Sequence, residues 1–325
     1  MSALRIQPRR LVLVGSVLVD ILMYVAQLPE RGGDRVAHRT LLTSGGGFNV
    51  LVGAARLEMP VAYAGRVGDG LMGARVMADL AAARIPLVLP PAIGEDTGFD
   101  VGLVESDAER TFVTAPGVEA RLHLADLNAI PLLPDDAIYV SGYDLYYPIS
   151  GAALEGWLPT LGSQYLLVID PGPLIAEIPK ERLARVLGRS DIVSLNAREV
   201  SFITSTTNLP DAAGLLVPRL APGGWVVARA GSQGCWVTSE TQPPWHLPAR
   251  PARAIDTTGA GDVHVSALLA RLAAGDDMIT AAHVANFAAS ISVERSGPAT
   301  GPTARELEEA LIMGEGNGGA GVVVS

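Results

Sequence analysis

From Asp126 onward the sequence alternates between short apolar runs and helix-like stretches, and this alternation limits the possible folds more than any other feature. Residues 137–141, 165–169, 191–194 and 224–228 are the apolar runs, each followed by turn-forming or polar residues. Continuous apolar runs between helical stretches are the pattern of parallel strands covered by helices on both faces. The chain has 325 residues, 49% of them apolar, and 36 glycines. That is enough for a large buried core, as one big α/β unit or two smaller ones. No sequence signal separates two independent units, so one domain over residues 1–325 is expected.

Residues 11–19 form another apolar run, ended by Asp20. Arg9-Arg10 before it imitates a secretory signal, but the acid interrupts the run and no convincing small-residue cleavage site follows. It reads as a first parallel strand whose end, where open α/β sheets place ligand contacts, carries Asp20. No apolar stretch is long enough to span a bilayer. Net charge is −10, with no basic run longer than Arg9-Arg10, which argues against nucleic acid or anionic membrane as a partner. The single cysteine, Cys235, excludes an internal disulfide framework and suits a reducing compartment, so a cytoplasmic protein is expected.

Other strand-like segments are too polar for a central parallel sheet. Residues 21–25 and 34–43 flank a Pro-Glu-Arg-Gly-Gly turn, and residues 99–104 and 110–115 flank Glu-Ser-Asp-Ala. They suit a small half-exposed sheet, with lid segments over about residues 20–44 and 96–116. Between these, Gly45 and Gly46 sit in a triple-glycine turn before Phe48 and Asn49. Glycines admit a ligand close to the backbone, and Asn49 offers both a donor and an acceptor to a polyol. A turn with an N-capping asparagine accounts for the same residues. Helices are expected over residues 49–57, 72–83, 263–274 and 283–293.

Residues 256–262 read Asp-Thr-Thr-Gly-Ala-Gly-Asp and lead into the helix at 263–274. Bare amides at a helix start, reachable over Gly259, Ala260 and Gly261, can cradle negative charge on a phosphoryl group. Asp262 then stands beside that charge, placed to take a proton from an attacking hydroxyl. The positive helix end favours the charged carboxylate, so Asp262 is expected to be a weak base. Asn196-x-x-Glu199 reads locally as a helix capping box.

The heptapeptide 256–262 resembles the D-T-x-G-A-G-D signature of ribokinase-like (PfkB-type) carbohydrate kinases, and further matches follow in that family's order over roughly residues 11–312. The resemblance implies an αβα sandwich with a mostly parallel central sheet and a small β-sheet lid. It implies an ATP-dependent kinase acting on a hydroxymethyl group of a sugar or sugar-derived metabolite. Asp262 would be the base, and Gly259, Ala260 and Gly261 the anion hole. Asp20, Gly45, Gly46 and Asn49 would hold the acceptor, joined by Phe99, Arg110 and Tyr143. Asn196, Arg229, Gly231, Gly234 and Asn286 would meet the nucleotide. Arg229 departs from the family's usual threonine. Glu199 would organise Mg²⁺ through water, and Asp256 with Thr258 a monovalent cation such as K⁺, which is expected to activate. A two-fold dimer clasped through the lids is also implied, with Leu22, Tyr24, Val36, Leu41 and Val113 as candidate contacts. A nucleoside kinase of the same family is the alternative, with Phe48 and Phe99 as candidate stacking residues. A catalytically silent binding protein of this fold would lack the acid or the glycine pair. A flexible tail is expected over 314–325.

Overall fold

The apolar runs of the second half are neighbours in one sheet, as the alternation predicts. The computed structural model describes residues 4–106 and 109–315. Its strands are β1 (Arg10–Leu13), β2 (Val17–Tyr24), β3 (Arg39–Gly46), β4 (Val61–Tyr63), β5 (Phe99–Val104) and β6 (Arg110–Ala115). Then come β7 (Asp136–Ser141), β8 (Leu166–Asp170), β9 (Ile192–Asn196), β10 (Trp225–Arg229), β11 (Cys235–Ser239) and β12 (Trp245–Leu247). The central sheet has the order β12-β11-β10-β9-β8-β7-β1-β4. It is parallel from β4 to β10, and β11 and β12 add an antiparallel edge.

Strand alternation divides the core between the two faces of this sheet. Leu11 and Leu13 join one apolar cluster, together with Val265, Leu268 and Leu269 of the Ala260–Ala274 helix. Val12 and Val14 join the other, with Leu154 and Trp157 of the Pro148–Trp157 helix. Each fully buried Leu or Val contributes roughly 1.5–3 kcal/mol of transfer free energy, so both faces must stay covered.

The run at 11–19 is not one strand. β1 ends at Leu13, Gly15 turns at φ +154°, and β2 starts afresh at Val17 in a second sheet. A Cβ at Gly15 would lie 2.0 Å from an Asp144 carboxylate oxygen, so only glycine makes this turn. The Val17 amide donates to the Tyr63 hydroxyl at 2.9 Å, pinning the new direction. Apolarity continues across the break because both strands are buried there. Asp20 therefore lies in the middle of β2, not at the end of a central strand.

The second sheet runs β3-β2-β5-β6. Its registers place Thr43, Asp20, Asp100 and Thr114 in one row across all four strands. Helices occupy Gly47–Arg56, Leu71–Ala82, Ala260–Ala274 and Met278–Ser292, close to expectation. The last begins five residues early because Asp277 caps it, accepting from the Thr280 amide at 2.8 Å. The expected tail starts inside the Ala304–Glu315 helix, and residues 316–325 lie outside those described. Among the described residues no helix is long and apolar enough to cross a membrane.

Candidate active site

The Ala260–Ala274 helix starts beneath the small sheet, and its first turn faces a cavity of about 310 Å³ between the two sheets. Gly259 takes φ +70° just before the helix, a left-handed conformation that costs glycine nothing. A Cβ on Gly261 would lie 2.2 Å from Arg229 Nη1, so a side chain there would displace the guanidinium. Gly259, Gly261 and Asp262 line the cavity; Ala260 faces a second one described below.

Asp262 Oδ2 accepts a hydrogen bond from Asn49 Nδ2 at 3.1 Å. Burial, then the charge of Asp170, push its carboxyl up to about 7, against opposing help from Asn49 and Arg229. This reverses the expected weak base. The field at a helix end is worth at most ~2 kcal/mol, and removing a carboxylate from water beside another acid outweighs it.

Asp20 is 8% exposed and points into the same cavity. Burial, then Asp100 and Asp262, push its carboxyl up to about 8. A Cβ on Gly45 would lie 2.0 Å from Asp20 Oδ1, which explains the glycine paired beside β2. Gly46, at φ +59°, lines the cavity, as does Tyr143. Asn49 thus bridges the candidate acceptor site and the candidate base, a link its spacing in sequence does not reveal.

Two lid residues fall elsewhere. Phe99 packs against the apolar core, and its neighbour Asp100 lines the cavity instead. Arg110 passes the cavity by: its Nη2 donates to Asp256 Oδ1 at 2.6 Å. Phe112 and Thr114 of β6 take the lining positions. Period-two alternation along β5 would have exchanged Phe99 for Asp100, had the face of the strand been known. Asp144, near Tyr143, is buried behind the wall, accepting from Ser16 Oγ at 2.6 Å and Ser141 Oγ at 2.7 Å.

Asn196 and Glu199 form the capping box expected locally. Glu199 Oε2 accepts from the Asn196 amide at 2.8 Å and Oε1 from its Nδ2 at 2.6 Å. In return Asn196 Oδ1 accepts from the Glu199 amide at 3.0 Å. Glu199 also lines the acceptor cavity, its carboxyl held above the usual range by burial and then by Asp170. Arg229 Nη2 donates to Asp170 Oδ2 at 2.9 Å and lies 3.9 Å from Glu199 Oε2.

Arg229 and Gly261 also line a second cavity, of about 550 Å³, with Asn196, Ala260, Gly231 and Gly234. The two cavities therefore meet at the helix start. Asn286 lines the second cavity, but its amide is engaged: Nδ2 donates to the Leu247 carbonyl at 2.9 Å, and Oδ1 accepts from His264 Nε2 at 3.2 Å. His264 is kept neutral, pushed down to about 3 by burial and then by Arg229.

Asp256 lies outside both cavities' linings, with both its oxygens occupied. Oδ1 accepts from the Thr258 amide at 2.8 Å and from Arg110, and Oδ2 from the Gly297 amide at 3.0 Å. Burial opposes its charge, but these bonds outweigh burial and hold the carboxyl below its usual range.

Residues 8–305 match the pfkB family carbohydrate kinase pattern. The uncharacterized sugar kinase YegV of Escherichia coli strain K12 is 31% identical over 300 residues, covering 90% of this chain and 91% of that protein. Ribokinase of Mus musculus is 27% identical over 311 residues, covering 93% and 94%. Among solved structures, ribokinase of Thermotoga maritima superposes with a TM-score of 0.78 at 20% identity, over 93% of this chain and 99% of that one. Aminoimidazole riboside kinase of Salmonella enterica gives 0.77 at 21% identity, with the same shares. The fold, the order of motifs and these likenesses agree: this chain belongs to the pfkB family of carbohydrate kinases, enzymes that transfer phosphate to a sugar hydroxyl.

Proposed function

We propose that this chain transfers the terminal phosphoryl group of ATP to a hydroxymethyl group of a sugar or sugar-derived metabolite. The observation that carries the reading is the junction of the two cavities at Gly261, with Asp262 on the acceptor side. ATP occupies the larger cavity, contacted by Asn196, Gly231 and Gly234, with its phosphates directed at the helix start. Asp20, Gly46 and Asn49 hold the acceptor so that its hydroxyl faces Asp262, whereas Gly45, expected beside them, lies outside the cavity lining and makes room for the Asp20 carboxylate. Asp262, titrating near neutrality, accepts the hydroxyl proton as oxygen attacks phosphorus. The amides of Gly259, Ala260 and Gly261 and the Arg229 guanidinium meet the charge that spreads over the phosphoryl oxygens.

Glu199 fits Mg²⁺ held through water: it faces the cavity while its own oxygens are oriented by Asn196. Among the described residues no cluster of three or more metal-ligating side chains exists, which suits an ion that keeps its waters and is bound mainly by phosphates. Such an ion, when bound, neutralises phosphate charge. A monovalent cation at Asp256 and Thr258 does not fit in the same way. The Asp256 carboxylate is already paired with Arg110 and two amides, so K⁺ is left out of the proposed cofactor set.

A nucleoside acceptor is the second reading, favoured by one observation. Phe112, Tyr143 and Tyr147 line the acceptor cavity and could stack on a base, whereas the expected Phe48 and Phe99 are packed in or against the core. The protein is proposed to work in the cytoplasm, as a dimer joined through the outer lid face. Leu22, Tyr24 and Leu41 share the Asp20 face by strand alternation, and Leu22 is buried within the chain. The outer face instead offers Leu42 and Val113, 41% and 72% exposed, with Val36 in the adjoining loop. A coupled ADP-release assay over sugars, sugar acids, polyols and nucleosides tests the activity. ATP-dependent turnover of a sugar or nucleoside is expected; ADP release with none of them would overturn the reading.

A further inference from the structure

The wall of the acceptor cavity is chemically one-sided. Asp20, Asp100, Asp170, Glu199 and Asp262 line it, and among the described lining residues the one basic side chain is Arg229, which is already paired with Asp170. Asp20 and Asp100 stand in register on neighbouring parallel strands, so both carboxylates project from the lid on the same face. Among the described residues the Asp20 carboxylate receives no hydrogen bond from the protein. Asp100 Oδ1 and Asn49 Oδ1 are likewise buried without a partner. Three neighbouring groups thus present unused acceptors to one space. A buried acceptor left unpaired costs free energy, so the ligand that completes this wall must bring donors.

We infer that Asp100 is a second specificity-determining carboxylate of the acceptor site, and that with Asp20 and Asn49 it selects a donor-rich acceptor bearing no phosphate or carboxylate. This rests on the acceptor cavity assigned above. Donors can come from adjacent hydroxyls or from a protonated amine, and either satisfies the wall. At neutral pH Asp100 is the charged member of the pair, because Asp20 is pushed up to about 8. An anionic substituent meets that charge while Arg229 is held by Asp170, and like charges in a poorly hydrated site repel strongly. Thr114, in register with Asp100 on β6 and also lining the cavity, supplies a hydroxyl that can follow either arrangement.

The test measures acceptor binding by calorimetry without ATP, so it does not depend on turnover. D-ribose and D-fructose are the neutral probes, glucosamine the amine, and gluconate and fructose 6-phosphate the anions. At least one neutral or amino sugar is expected to bind, and neither anion to bind as well. Asp100→Asn should weaken the best acceptor roughly tenfold, the loss expected for one charged hydrogen bond, and leave ATP affinity unchanged. Asp100→Glu, which keeps the charge, should still reject the anions. Tightest binding by an anion, no binding by any neutral or amino sugar, or an Asp100→Asn variant with unchanged acceptor affinity would each overturn the inference. An acceptor that binds as expected and yet supports no ADP release would overturn the kinase reading and leave this inference standing.

Discussion

Asp262 carries the account at the scale of single residues, and its environment makes a pH prediction. Its carboxyl is pushed up to about 7, chiefly by burial. Only the deprotonated form accepts a proton, so kcat should fall about tenfold per pH unit below that value. A pH–rate profile that stays flat down to the ordinary carboxylate range would remove Asp262 from the acid limb. Sequence made the acid and its glycines visible because they are contiguous. Asn49, Asp170 and Arg229, which set the acid's behaviour, lie on three other segments, and no local pattern joins them to it. A helix N-terminus does favour the charged carboxylate, but burial, which no local pattern reveals, outweighs it. Asp100 is hidden differently: it follows Phe99 directly, on the opposite face of the same strand.

Among the elements, the lid strand β6 is tied to the body by an ion pair. Arg110 on β6 and Asp256, just before the Ala260–Ala274 helix, form this pair, and their side chains are 13% and 6% exposed. Breaking a buried pair by removing one partner costs up to ~3–5 kcal/mol, and here the Thr258 and Gly297 amides, which still hold the Asp256 charge, keep the loss toward the low end. Arg110→Ala should therefore lower the melting temperature and raise the acceptor KM through a looser lid, with a smaller effect on the ATP KM. Steady-state kinetics in both substrates checks this; equal effects on the two would place Arg110 outside the lid's function. Replacing Na⁺ by K⁺ should leave the wild-type rate unchanged, since the guanidinium already meets the Asp256 charge. Activation by K⁺ would show that an ion enters beside the pair. The lid strands β5 and β6 were legible to the residue, because polar turns bound them. The β1–β2 break was not, since Gly15 sits inside continuous apolar sequence and the Asp144 carboxylate that a Cβ there would meet lies far along the chain.

Over the whole molecule, the acidic cavity has a stability signature. The folded-state carboxyls of Asp20, Asp262 and Asp100 are raised to about 8, 7 and 6. Folding therefore binds their protons more tightly, and their contribution is fully present below the unfolded carboxylate value and lost as pH rises through 6 to 8. The ligand-free protein should melt lower at alkaline than at mildly acidic pH, and Asp20→Asn should narrow that gap. A melting temperature that rises steadily over the same range would contradict it. The exposed outer lid face predicts a particle of about 68 kDa, twice the 33.8 kDa chain, by light scattering. A monomer at micromolar concentration would refute the lid dimer. The parallel body was legible because buried strands advertise themselves by continuous apolarity. The antiparallel edge of β11 and β12 was not, since its residues mix polar and apolar without a clear period.

The central claim, that Asp262 takes the acceptor's proton during phosphoryl transfer, is tested most directly by single-turnover phosphorylation with Asp262→Asn at saturating ATP and acceptor. The rate should fall by ~10²–10⁴ while the affinities for both substrates hold, because the base acts in the transition state rather than in binding. A variant that retains more than about a third of the wild-type rate would contradict the claim.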